Sequence, residues 1–173
     1  MASDSTGNES AKAGKCGIIS LLVADRFGVL QRICGAFSRR GLNIASITVG
    51  RTEQEGLSRI TIATSGDEAR ISQTIYQLDK IEDVRNVRVL GPDTIAYEAL
   101  MAKVACGNSA ERTDMLGLLG LFGGRVLSIR KGEIAFEMHG KPEDVDTFIG
   151  MIAEFHKKEF VRTGVTALEL SRE

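Results

Sequence analysis

The same order of apolar patterns runs through this chain twice, at an offset of roughly 80 residues. That repetition constrains the fold more than any single residue does. In the first pass, Gly17 to Val23 is a short apolar run that suits a buried strand, and Asp25 to Gly28 turns the chain. A helix is expected from about Gly28 to Arg40, because Leu30, Ile33, Cys34 and Phe37 recur on one face. Arg39 and Arg40 fall in its last turn, where cations complement the helix dipole, and Gly41 is placed to cap it. Asn43 to Gly50 then alternates as a strand, with Ala45, Ile47 and Val49 on one face. Thr52 to Gly56 reads as a hairpin connection. Leu57 to Thr64 is the next strand, with Ile60 and Ile62 facing one way and Arg59 and Thr61 facing solvent or a partner. Ser65-Gly66-Asp67 opens a helix that buries Ile71, Ile75 and Leu78, and Asp83 to Leu90 closes through Val84, Val87 and Val89. Gly91-Pro92-Asp93 then breaks the chain.

The second pass repeats the series. Ile95 to Cys106 is a strand, and Ala110 to Phe122 a helix stopped by Gly123-Gly124. Arg125 to Arg130 and Glu133 to His139 form a hairpin around Lys131-Gly132. Lys141 to His156 is a helix with Val145, Phe148, Ile149, Ile152 and Phe155 on one stripe, and Pro142 suits its first turn. Phe160 to Leu170 closes as one strand. The fold class is α+β: two tandem ferredoxin-like βαββαβ domains over 16–91 and 95–173. Residues 1–15 are polar, small and mixed in charge, and are expected to form a disordered leader without the apolar core of a signal peptide.

Composition excludes more than it suggests. Net charge is -1, which gives no general electrostatic grip on nucleic acid or an anionic membrane. No apolar run is long enough to span a bilayer. The three cysteines are far apart and include no CxxC pair, and His139 and His156 are isolated, so neither a disulfide framework nor a metal centre is indicated. No nucleophile, base and orienting group stand in a recognisable set. Gly117, Gly120 and Gly123 fall on a helical pattern and read as close helix packing rather than a nucleotide loop.

The turn from Asp25 to Gly28 offers the most distinctive chemistry. A helix starting there presents backbone N–H groups of Gly28 and Val29 to a carboxylate, while Asp25 can accept hydrogen bonds from an ammonium. Asn43 offers both a donor and an acceptor. Those are the two ends of an amino acid. The residues alone leave a plainer account ahead: Asp25 caps the helix, Gly28 permits the turn, and Asn43 merely follows a glycine cap.

The runs DRFGVLQRICGAFSRRGLNIASITVGRTE, GLSRITI and DEARISQTIYQLDKIEDV resemble the ACT domain of acetolactate (acetohydroxyacid) synthase small regulatory subunits. The likeness continues more loosely through YEALMAKV and VRTGVTAL. The resemblance implies a non-catalytic regulator that activates a large catalytic subunit and confers feedback inhibition by valine or a related branched-chain amino acid. Thiamine diphosphate, magnesium and FAD are then expected on the partner and no cofactor in this chain. It implies ACT domains paired as a homodimer. The effector would lie between Asp25, Arg26, Phe27, Gly28, Val29 and Leu30 of one chain and Asn43 and Ile44 of the other. The family usually carries Asn at the position of Asp25 and often Pro or Ser at that of Phe27. The expected compartment is the cytoplasm, or an organelle stroma or matrix in a eukaryote. The alternative is a free-standing ACT-domain amino-acid sensor acting through a DNA-binding partner.

Overall fold

The computed structural model describes residues 16–156 and 158–170; the expected leader over 1–15 lies outside them. The first half folds as β1 (Cys16–Ala24), α1 (Val29–Arg39), β2 (Asn43–Arg51), β3 (Leu57–Ser65), α2 (Glu68–Asp79) and β4 (Val84–Val89). The strands form one antiparallel sheet in the order β2-β3-β1-β4, so the two edges are β2 and β4. Ile19, Leu21 and Val23 of β1 and Ile60 and Ile62 of β3 point to one face, where Ile33, Ala36 and Phe37 of α1 and Ile71 and Leu78 of α2 cover them. Gly41, at φ 63°, ends α1 in the left-handed turn that lets the chain reverse into β2.

The second half repeats this plan with β5 (Thr94–Ala105), α3 (Ser109–Leu121), β6 (Arg125–Arg130), β7 (Glu133–Gly140), α4 (Pro142–Ile152), β8 (Lys158–Arg162) and β9 (Thr166–Glu169). Its sheet runs β6-β7-β5-β8. Leu100, Val104, Ile134 and Phe136 meet Met115, Leu119, Val145 and Phe148 in the core, with Phe136 and Phe148 edge-to-face at 5.6 Å. Arg162 clamps this unit. It donates to both carboxylate oxygens of the buried Glu98, at 2.8 and 2.6 Å, and to Asp146 at 2.6 Å. The Glu98 bonds chiefly hold the guanidinium pKa above its ordinary value.

Several expectations need correction. The final strand is not continuous: β5 advances from Leu100 to Tyr97 while its partner advances from Arg162 to Thr166, one residue more, so a bulge divides β8 from β9. Gly164, at φ +83°, supplies the conformation that the bulge needs. Ala45 does not share a face with Ile47. The register shifts between Ile44 and Ser46, which leaves Ala45 exposed and turns Ile44 and Ile47 to the core. The last helix stops at Ile152 rather than His156, because Ala153 and Phe155 bond three residues back, to Gly150 and Ile152, and tighten the turn. Gly117 and Gly120 do not serve close packing: a Cβ at either meets nothing within 4 Å, and Met115 and Leu119 fill the buried face instead.

The bulge carries the end of the chain onto the first domain. β9 pairs with the start of β5, and this ribbon covers part of the open face of the first sheet. Val165 and Ala167 pack with Ala63, and Thr61, expected to face solvent or a partner, is buried there. Thr48 donates to the Val165 carbonyl at 2.9 Å, and the Val165 amide donates to Ser46 at 3.3 Å. Glu169 accepts from the Gly91 amide at 3.0 Å and pairs with Arg88 at 3.2 Å. The two domains are therefore joined by a polar seam as well as by the linker.

Two stability predictions follow from this packing. Gly164→Ala adds a Cβ 2.9 Å from the Ser46 Cβ at a positive φ, whereas the same change at Gly132 (φ +79°) meets nothing nearer than 3.9 Å. Urea unfolding should show Gly132→Ala costing about 1 kcal/mol and Gly164→Ala clearly more. Arg162→Leu strands the buried Glu98 carboxylate and should cost about 3–5 kcal/mol, with the double Glu98→Leu, Arg162→Leu variant recovering most of it.

Candidate functional site

The turn after β1 is clamped on both sides. The Ala24 amide donates to the Asp83 carbonyl just before β4, and the Asp25 amide donates to the Gly56 carbonyl in the β2–β3 connection, both at 2.8 Å. Arg26 closes back on the Ala24 carbonyl at 2.9 Å. The chain then enters α1 through Gly28, which is its N-cap residue at φ 83°. An L-residue with a side chain adopts that conformation only at a cost, so glycine is what the turn needs. Arg32, one turn into α1, forms an ion pair with the nearly buried Asp83 and fixes the helix against β4.

No side chain caps α1. Asp25 is exposed and does not do so, which removes the plainest account of that residue. The Val29 amide reaches only the Arg26 carbonyl, at 3.5 Å, and the Gly28 and Leu30 amides donate to no acceptor among the described residues. The other helices begin differently. Asp67 accepts from the Ala69 and Arg70 amides at the start of α2, and Pro142 in the first turn of α4 has no N–H to satisfy. The equivalent turn of the second half is capped by its own side chains. Asn108 accepts from the Glu111 amide, while the Glu111 carboxylate accepts from the Gly107 amide and from the Asn108 side chain, at 2.8 to 2.9 Å. This is a variant of the capping box in which the Gly107 amide stands in for that of the N-cap residue, and the Asn-x-x-Glu spacing was available in the sequence as its signal. Of two equivalent turns, one ties up its Gly107 and Glu111 amides with its own side chains, and the other has no side-chain cap.

The eight candidate residues fall into two groups that a single chain does not bring together. Asp25, Arg26, Phe27, Gly28, Val29 and Leu30 form the turn. Val29 is a core residue, 3 % exposed, so only its backbone is open to a ligand. Leu30 is 43 % exposed and Phe27 entirely so. Asn43 and Ile44 begin β2, where Asn43 pairs with Ser65, which in turn pairs with Cys16 at the start of β1. The turn leaves the other end of β1, where Ala24 pairs with Leu57. At about 3.3 Å per residue, the length of β1 sets the two groups roughly 25 Å apart. Asn43 is exposed, and its carbonyl accepts from Thr64 at 2.7 Å.

Elsewhere the chemistry is plain. Cys34 and Cys106 are free, and burial, with Glu111 adding to it, pushes the Cys106 thiol up and away from the reactive thiolate. Among the described residues no group of three or more His, Cys, Asp or Glu could hold a metal ion, and no helix is long and apolar enough to cross a membrane.

Comparison with known proteins agrees with this geometry. A family described as the AHAS small subunit-like ACT domain matches residues 19–86, and one described as the small subunit of acetolactate synthase matches residues 97–171. The chain is 40% identical over 152 residues to the probable acetolactate synthase small subunit of Methanothermobacter thermautotrophicus, across 87% of this chain and 90% of that one. The chain belongs to the acetolactate synthase small-subunit family. A Bacillus subtilis acetolactate synthase small subunit is 34% identical over 151 residues, covering 87% of this chain and 88% of that one. The crystal structure of the Thermotoga maritima acetolactate synthase small subunit superposes with a TM-score of 0.82 at 29% identity, covering 92% of this chain and 99% of that one. Membership supports a regulatory role for the chain rather than a catalytic one.

The contrast between the two turns is measurable. Asn108→Ala should cost about 1 kcal/mol in urea unfolding, because it opens the α3 cap. Asp25→Ala should change stability by less than about 0.5 kcal/mol, because no cap is lost.

Proposed function

We propose that this chain is the regulatory subunit of an acetolactate synthase, activating the catalytic subunit and making it sensitive to valine or another branched-chain amino acid. The observation that carries the reading is the uncapped start of α1 after Asp25, set against the side-chain cap of the equivalent helix in the second domain. A helix start carries about half a positive charge and free N–H donors, which suit the effector carboxylate. Asp25 takes the ammonium in a charge-assisted hydrogen bond. The exposed Leu30 supplies apolar surface for a branched side chain, and the start of β2 at Asn43 and Ile44 closes the site from the other chain. Thiamine diphosphate, magnesium and FAD belong to the catalytic subunit in this scheme, and the present chain contributes no reacting group.

In this reading the functional unit is a homodimer, which is supported by the separation of the two halves of the site, roughly 25 Å in one chain. β2 is an edge strand that runs from Asn43 to Arg51, and Arg51 pairs with Ser58 near the end of the sheet that carries the turn. Antiparallel pairing of two β2 edges brings the second chain's Asn43 and Ile44 to that same end. A second chain there also accounts for an entirely exposed Phe27 next to the site. An effector held by both chains favours one relative arrangement of the two protomers. It can shift the activity of the complex only by the difference in its affinity for the two arrangements.

The test is acetolactate formation by the cognate catalytic subunit, with and without this chain, across a valine titration. Stimulation followed by inhibition is expected. Gly28→Asp places an anion where the carboxylate belongs, and Asn43→Leu removes the amide. Each should raise the valine concentration for half-inhibition by at least about tenfold, which is 1.4 kcal/mol, while stimulation persists. Wild-type inhibition in both variants would remove the turn from the site. Absence of any stimulation would sink the regulatory reading and favour a free-standing sensor with a DNA-binding partner.

A further inference from the structure

The two helices of the second domain pack on each other at one end and part at the other. Phe122, just after α3, meets Phe148 of α4 edge-to-face at 5.2 Å. Where α3 starts and α4 ends, an open groove of about 470 Å³ lies between them. Leu118, Met151 and Phe155 give it apolar surface, and Glu111, Asp114 and Glu154 line it with carboxylates. Glu111, Asp114 and Leu118 recur at i, i+3 and i+7, so acid and apolar surface share one face of α3. Met151 is 46 % exposed. The groove shares no residue with the turn at Asp25.

The charge of this helical layer is one-sided. Between Pro142 and His156 the chain has Glu143, Asp144, Asp146 and Glu154 and no Lys or Arg. Of these, Asp146 is taken by Arg162. Asp114 and Glu154 form no ion pair among the described residues. Glu111 accepts from the uncharged Gly107 amide and Asn108 side chain. Two cations stand close in sequence and are engaged elsewhere. Arg112 shares the helix face of the buried Met115 and Leu119, with its Nε enclosed, and Lys158 donates to the Ala153 carbonyl at 2.5 Å. Gly117 and Gly150 adjoin Leu118 and Met151, and a Cβ at either would meet nothing within 4 Å. Glycine inside a helix is worse than alanine, and no contact within the chain requires it at these two positions. The missing side chains leave room for a backbone arriving from outside.

These features select the occupant by charge. A second copy of this layer would set carboxylates against carboxylates, which association disfavours. The lining acids form no metal-binding group among the described residues. The complement is a segment with aliphatic side chains on one face and Lys or Arg beside them. We propose that the groove docks a basic, amphipathic helix of the acetolactate synthase catalytic subunit, its apolar face on Leu118, Met151 and Phe155 and its cations on Asp114 and Glu154. This rests on the regulatory reading above. It gives the second domain, whose own turn is capped, the task of holding the partner.

The test measures the Kd between the full chain and the cognate catalytic subunit by biolayer interferometry across a sodium chloride series, with acetolactate formation read alongside. The double variant Asp114→Lys, Glu154→Lys should raise Kd by about tenfold or more at low ionic strength and flatten its salt dependence. Met151→Ala should also raise Kd but keep the wild-type salt dependence, since it removes no charge. The matched pair Glu53→Lys, Asp79→Lys makes the same charge change on the first domain and should leave Kd within about twofold. All the substituted side chains are exposed, so the variants should melt as the wild type does. A wild-type Kd in both groove variants, or an equal loss in the matched pair, would overturn the proposal and leave the regulatory reading standing. A wild-type chain that neither binds nor stimulates the catalytic subunit would remove both. Loss of self-association in the double variant, with binding to the catalytic subunit intact, would make a second copy the occupant and sink the proposal.

Discussion

Strand β5 does two jobs, and the rest of the architecture depends on it. Its second half sits at the centre of the second sheet, between β7 and β8, while its first half pairs with β9 over the other domain. The switch between those partners is one extra residue at the Gly164 bulge. Hydrogen bonding along β5 is thereby shared between two cores that otherwise form separate clusters. The alternative, a domain pair connected only by Gly91-Pro92-Asp93, would leave relative motion as the default. Here the small and hydroxylated face of the first sheet, with Ser46, Thr48, Thr61 and Ala63, accepts a strand ribbon at close range.

A second theme is how the two repeats divide labour. Both begin their first helix after a strand-to-helix turn, yet only the second closes that turn with side chains of its own. Leaving α1 open forgoes about 1 kcal/mol of cap stabilisation. The clamps from Asp83 and Gly56 on the turn and the Arg32–Asp83 ion pair hold the open end in place without occupying its donors. The first domain thus keeps a rigid frame around an unsatisfied group, which is the arrangement that pre-organised recognition calls for.

Much of this was legible in the sequence, and the failures have physical causes. The doubled element order, the apolar stripe of α1, the glycine stop at Gly41 and the hairpin at Lys131-Gly132 all depend on local periodicity or on a backbone that only glycine adopts readily, and they appear where expected. The bulge at Ala45 was invisible because alanine fits either face, so its apolar character did not reveal the register shift. The division of β8 from β9 depends on contacts with Ser46 and Thr48, more than a hundred residues away in sequence. Thr61 alternated like a solvent-facing residue, and only the arrival of β9 buries it. At the candidate site, the residue types were readable. That the turn and Asn43 lie at opposite ends of one sheet was not, since it follows from strand register.

The position of β9 in the chain has a consequence for synthesis. It follows every other helix and strand described here, yet it completes the cover over the domain made first. As the polypeptide emerges, the first domain can assemble its helical core early, domains generally forming as units from the N-terminus. The opposite face of its sheet stays bare until nearly the whole second domain has left the ribosome. The hydroxyl-rich character of that face, around Ser20, Ser46, Thr48 and Thr61, keeps the nascent intermediate wettable during that wait, whereas an apolar face would invite association with neighbouring chains.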